Sequence, residues 1–145
     1  MAQAAQGSFE NGRFVYPIRV YYEDTDAEGV VYHLNYLKYI ERTGIEMLRA
    51  VGFSQKENMQ SENPIALVVR HLDIDYKSFA FLDDLLLVKA KPVAVKGVRM
   101  TLNYEIYNED RLLTTATEDI VIVDLKTKRP MRLPADLVEK LSKYM

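Results

Sequence analysis

Four carboxylates crowd six positions of this chain: Glu23, Asp24, Asp26 and Glu28. Gly29 follows them, and Tyr32 and His33 come next. A carboxylate can attack an acyl carbon, or take the proton of a water that does. Either route builds negative charge on the carbonyl oxygen, and that charge needs hydrogen-bond donors already in place. The next stretch can supply them. Leu37, Ile40, Gly44, Met47, Leu48 and Val51 recur at helical spacing, while Lys38, Glu41, Arg42, Glu46 and Arg49 fall largely off that stripe. A helix therefore begins just past His33, and its unpaired first-turn N–H groups face the acid turn. Gly52 stands where a residue of positive φ ends a helix, with Phe53 and Leu48 placed for the contact of a Schellman ending.

Spacing alone leaves each of these residues two readings. Asp26 is the sharpest candidate for catalysis, yet an Asp in a turn also commonly bonds nearby backbone N–H groups. Glu23 and Asp24 read better as solvated or helix-directed charges than as catalysts. Gly29 relieves a backbone constraint where the chain approaches substrate, or simply makes a tight turn. The His33 backbone N–H is placed to polarise a carbonyl oxygen, and a part for its side chain stays open. Tyr32 and Tyr36 flank the helix mouth, where they either line an acyl pocket or join the core. His71 alternates with core residues on a strand and reads as structural. Two histidines 38 positions apart give a metal site no support.

The segment YYEDTDAEGVVYH (Tyr21 to His33), continued by Asn35-Tyr36 and Glu41-Arg42, resembles the acyl-CoA thioesterases of the 4-hydroxybenzoyl-CoA thioesterase family. Within that family it is most similar to the branch associated with the bacterial Tol–Pal envelope system. The resemblance runs from about Tyr16 to Leu133. It implies a hotdog fold, an antiparallel sheet wrapped round one long central helix, with Asp26 as the catalytic carboxylate. It also implies hydrolysis of an acyl-CoA thioester to free acid and coenzyme A, with coenzyme A as part of the substrate and no separate cofactor. Lys96 and Arg99 bracket the Gly97 turn, where relatives hold the nucleotide phosphates, often across a subunit interface. Homodimers or homotetramers are implied, and an acyl carrier protein could present the same thioester. A non-catalytic acyl-binding hotdog is the reading from another class. Two departures stand out: Glu28 replaces a small residue, and Ser78-Phe79-Ala80-Phe81 occupies a loop where relatives tend to carry Pro and a base.

The elements that must position these residues are legible from pattern. Phe14–Tyr22 alternates as a first strand, with Pro17 marking an edge or bulge. Strands are expected over Ile65–Tyr76, Leu85–Val95, Met100–Ile106 and Leu112–Asp124, and a terminal amphipathic helix over Pro134–Tyr144. Ser54–Asn63 reads as a loop or short helix closing over the site. One helix followed by several antiparallel-type strands predicts an α+β fold with a sheet of about five strands. Residues 1–13 are expected to form a flexible tail and 14–145 a single domain. Exposed sheet edges give such a domain a physical motive to self-associate.

Composition narrows the function. The 145 residues carry 19 basic and 21 acidic side chains, a formal charge of −2, which leaves no nucleic-acid footprint in the bulk balance. The absence of cysteine excludes disulfides, thiol catalysis and Cys-based zinc sites. No apolar run approaches the roughly 20 residues of a bilayer span, and no signal peptide is visible, so the cytoplasm is the expected compartment.

Overall fold

A computed structural model describes residues 7–145. Six antiparallel strands form one sheet in the order β1-β2-β4-β5-β6-β3. They are β1 (Ser8–Glu10), β2 (Arg13–Arg19), β3 (Ile65–Tyr76), β4 (Leu85–Lys96), β5 (Arg99–Asn108) and β6 (Arg111–Asp124). The helices are α1 (Asn35–Ala50), α2 (Gln55–Gln60) and α3 (Ala135–Ser142). The sheet curls round α1, which is the α+β hotdog arrangement.

Period-two alternation drives the sheet. Met100, Leu102, Tyr104 and Ile106 of β5 are all buried, as are Leu86, Val88 and Ala90 of β4. On β6 the inward positions are Thr114, Ala116, Glu118, Ile120 and Ile122. These faces meet Tyr39, Ile40 and Met47 of α1, each worth about 1.5–3 kcal/mol of burial. The helix packs directly on β2 and β4. It stands off from the β3–β6 side, leaving a groove there. At its end the Gly52 N–H donates to the Arg49 carbonyl and the Phe53 N–H to that of Leu48, with Gly52 at φ +97°. That is a Schellman ending.

Three expectations need correction. Residues 8–13, assigned to a tail, form β1 and the turn into β2, with Phe9 stacked on Tyr144; residues 1–6 lie outside the described part. The sixth strand of the sheet is this β1. The first strand also stops short of Tyr22, which is 83% exposed, because Tyr22–Asp24 coils into a 3-10 turn. Asp24 takes the Tyr21 N–H on its carboxylate and so competes with the strand ladder. Finally, α2 does not cover the acid turn. Asn58 pairs with both backbone groups of Ile65, which fixes α2 at the opposite end of the sheet.

Candidate active site

The acid turn is held by its own backbone. Asp24 is buried, and its carbonyl accepts two donors: the Tyr32 N–H at 2.9 Å and the Asn35 side-chain amide at 2.7 Å. One carbonyl thus ties the 3-10 turn to the mouth of α1. Asp26 then opens a tight turn, closed by its N–H to Val30 and by the Gly29 N–H to its carbonyl. Gly29 sits at φ +84° with open space where a Cβ would stand, so backbone freedom and not crowding requires glycine there. Asp26 Oδ1 accepts the Glu28 N–H at 2.8 Å. One oxygen of Asp26 thus fixes the turn, as its turn reading expects, and the other accepts no hydrogen bond among the described residues. Glu28 itself is exposed, and its tie to Asp26 runs through the main chain.

His33 and Tyr32 are exposed beside this turn, their rings 4.7 Å apart. The His33 carbonyl accepts the Tyr76 hydroxyl at 3.0 Å, while its N–H has no backbone acceptor. The Asn35 and Leu37 N–H groups of the first turn are already taken by the Tyr32 and Leu34 carbonyls, so the His33 N–H is the donor at this mouth able to meet a developing oxyanion. Tyr36 is placed differently. It is only 3% exposed, and its hydroxyl accepts the Ala80 N–H at 3.2 Å. Burial pushes its pKa up, so it stays a neutral phenol holding the 78–84 loop against the site. Val30 bridges Phe81 from the same loop. The positioning roles of Asp24, Asn35 and Tyr76 were not visible in the sequence, since each acts through backbone atoms of residues distant in the chain.

Lys96 and Arg99 do not join this group within one chain. They face each other across the Gly97-Val98 turn, at the end of β4 remote from Leu85. Leu85 pairs with Arg19, just ahead of the acid turn. β4 is 12 residues long, and at about 3.3 Å per residue its ends lie on the order of 35 Å apart. Both cations are exposed. The turn is anchored by the Leu133 N–H on the Gly97 carbonyl and the Ile122 N–H on that of Val98.

The groove beside α1 has a volume of about 320 Å³. Leu37, Ile45 and Leu48 line it from the helix, and Leu67, Leu72 and Ile120 from the sheet. Glu41 and Gln55 border it, and Glu118 on β6, 9% exposed, enters it from the sheet and accepts the Tyr104 hydroxyl at 3.4 Å. Burial raises the Glu118 pKa; the Tyr104 bond works against this and the Glu41 charge adds to it. A carboxyl raised on folding costs nothing below its unfolded pKa, then lowers stability as pH rises through the folded value. Glu118→Gln is therefore expected to raise the melting temperature at pH 8 and leave it unchanged near pH 4, measured by thermal melts. The sequence did carry a signal for Glu118: it shares the parity of Ile120 and Ile122, an acid at an inward position.

Among the described residues no three His, Asp or Glu side chains are grouped to hold a metal ion, and no helix is long and apolar enough to cross a membrane. What the geometry offers is a carboxylate with one free oxygen, set beside N–H donors at a helix mouth. A hotdog sheet carrying such a turn fits the acyl-hydrolysis chemistry that the YYEDTDAEGVVYH resemblance implies.

Comparison with known proteins narrows the class. Residues 20–141 match the family model described as the thioesterase-like superfamily. An acyl-CoA thioesterase, YbgC, from Haemophilus influenzae is 41% identical over 128 residues, covering 88% of this chain and 93% of its own. A probable thioesterase from Bartonella henselae superposes with a TM-score of 0.79 at 34% identity, covering 83% of this chain and 98% of that one. A 1,4-dihydroxy-2-naphthoyl-CoA thioesterase from Synechocystis gives 0.83 at 26% identity, over 90% and 96%. The chain belongs to the thioesterase-like superfamily.

Proposed function

We propose that this protein hydrolyses acyl-CoA thioesters to the free acid and coenzyme A, with Asp26 as the working carboxylate. The observation that supports the assignment of Asp26 is a carboxylate with one oxygen unbonded among the described residues, on a turn that the Asp24 carbonyl ties to Asn35 at the mouth of α1. As a base, that oxygen takes a proton from water while the water adds to the thioester carbonyl. The tetrahedral oxyanion is met by the His33 N–H and by the positive end of the α1 dipole. Collapse expels the coenzyme A thiolate, and the proton on Asp26 returns to it. As a nucleophile, the same oxygen would form a mixed anhydride that water then opens. Coenzyme A is substrate and product, and neither route draws on a further cofactor.

The reading is tested by thiol release over a panel of aliphatic and aromatic acyl-CoAs. Acyl carrier protein belongs in the panel, since it presents the same thioester on the same pantetheine arm. Release of coenzyme A at turnover supports the reading. Binding of acyl-CoA without thiol release would instead identify an acyl-binding protein. The YbgC relative is named for the acyl-CoA reaction. Membership of the Tol–Pal-associated branch rests on the YYEDTDAEGVVYH resemblance.

A second copy of the chain completes the site. Two observations support this: β3 is a long edge strand with Val69 52% exposed, and the Lys96–Arg99 turn lies far from its own Asp26. Self-association brings the basic turn of one subunit to the nucleotide phosphates of substrate held by another. Lys96→Ala with Arg99→Ala is then expected to raise KM for an acyl-CoA a few-fold, each exposed contact being worth about 0.5–1 kcal/mol. Hydrolysis of the matching acyl-pantetheine, which lacks those phosphates, changes little. Equal losses on both substrates, or light scattering that finds only a 16.8 kDa species, would remove this assignment.

A further inference from the structure

The groove between α1 and the β3–β6 side of the sheet starts at Leu37, in the first turn of α1. It runs beside Glu41, Gly44, Ile45 and Leu48 and ends against Gln55 of α2. Such a groove begins two residues into α1 and is apolar along most of its length. It suits the acyl part of a thioester, and this inference rests on the hydrolase reading above. Its middle is not apolar. Glu118 faces it from β6, nine-tenths buried, with one oxygen taking the Tyr104 hydroxyl and the other accepting no hydrogen bond among the described residues. Gly44 allows this: its missing side chain admits the Tyr104 hydroxyl against the helix backbone.

We infer that the Glu118–Tyr104 pair reads a hydroxyl group carried far along the acyl chain, so that the groove selects distally hydroxylated acyl-CoAs over plain alkyl ones. An alkyl chain laid across Glu118 strips water from its free oxygen and gives nothing back. A hydroxyl at the same level donates to it. Sites built to bond a substrate hydroxyl discriminate strongly against the analogue that lacks it, because buried polar groups are then left unpaired. Burial of Glu118 also raises its pKa, and the protonated carboxyl can still accept through its carbonyl oxygen or donate to the same hydroxyl.

The depth of the pair sets the length of the substrate. Gly44 lies about 13 Å along α1 from Asn35, at about 1.5 Å per residue. An extended chain of about ten carbons covers that distance at C–C bond lengths near 1.5 Å. The pair is thus out of reach of short acyl groups.

The experiment compares kcat/KM for 10-hydroxydecanoyl-CoA and decanoyl-CoA, with butyryl-CoA as a short reference. The wild type is expected to favour the hydroxylated substrate by about ten-fold or more. Glu118→Leu with Tyr104→Phe removes both polar partners at similar shape, and the ratio is expected to fall to about one or below. A structural role for the pair would lower both substrates together and keep the ratio, which overturns the inference. Equal turnover of the two substrates by the wild type, or a preference for decanoyl-CoA, overturns it as well. Should the double variant not fold, the wild-type ratio still decides against the inference. Glu118→Gln, which keeps shape and hydrogen bonding, is expected to retain the preference. Hydrolysis of none of the three substrates would overturn the hydrolase reading itself, and this inference with it.

Discussion

Replacing Asp26 by Asn is expected to lower kcat for acyl-CoA hydrolysis by at least about 10²-fold while the protein stays folded. The structure separates the two effects cleanly. Asp26 Oδ1 accepts the Glu28 N–H, and the Asn carbonyl oxygen can accept the same bond. The turn therefore survives, and only the second, ionisable oxygen is lost. An amide neither takes a proton from water nor attacks a thioester. Asp26→Ala would be a poorer choice, since it removes the turn bond together with the chemistry. Steady-state thiol release gives the activity and a thermal melt gives the stability. Turnover near the wild-type rate would shift attention to the neighbouring acids. Asp24 is then the weakest of them, being buried with its carboxylate committed to the Tyr21 N–H.

The exclusion of Asp24 shows what the acid cluster is for. Its side chain and carbonyl together bind Tyr21, Tyr32 and Asn35. Tyr39 reaches the same place from within α1; burial above all, and the Asp24 charge after it, raise its pKa. One acid organises the turn and the next, two residues on, is left free. Four carboxylates in six positions thus divide into a buried support, the carboxylate proposed to react and two solvated charges.

Much of this was legible in the sequence because it is local. The alternation of β5 and the Schellman ending at Gly52 depend on neighbours in the chain, and the structure reproduces both. What was not legible depends on distant partners. β1 offers one apolar residue, Phe9, whose stacking partner Tyr144 lies at the other end of the sequence. The helix stripe was partly misread for the same reason. Tyr36, Tyr39 and Thr43 are buried as well as the expected Ile40, Gly44, Met47 and Leu48, because a curled sheet covers a wide arc of α1. Leu37 is left half-buried at the groove. Family resemblance placed Lys96 and Arg99 at the nucleotide phosphates, often across a subunit interface. Physical distance along β4 shows that one chain cannot bring them to its own Asp26.

Gly44 carries the second large effect. By helix propensity alone Gly44→Ala would stabilise α1 by about 0.5–1 kcal/mol, since glycine loses more backbone entropy on folding. The added Cβ, however, would stand 2.5 Å from the Tyr104 hydroxyl oxygen. Tyr104 is 2% exposed and packed in the core, so its ring has little room to withdraw. Overpacking of this kind costs about 1–3 kcal/mol, which outweighs the propensity gain. Gly44→Ala is therefore expected to destabilise the protein, seen as a lower urea midpoint at an unchanged m-value. Tyr104→Phe removes the obstructing oxygen, and in that background the same Gly44→Ala change is expected to be neutral or stabilising by up to about 1 kcal/mol. The sign reversal is the diagnostic result, because residues in direct contact couple by roughly 0.5–3 kcal/mol in such cycles. Additive effects in the double variant would mean that Gly44 is needed for some reason other than the Tyr104 hydroxyl. In that case the close approach of α1 to β5 would not be what sets the Tyr104–Glu118 pair at the groove.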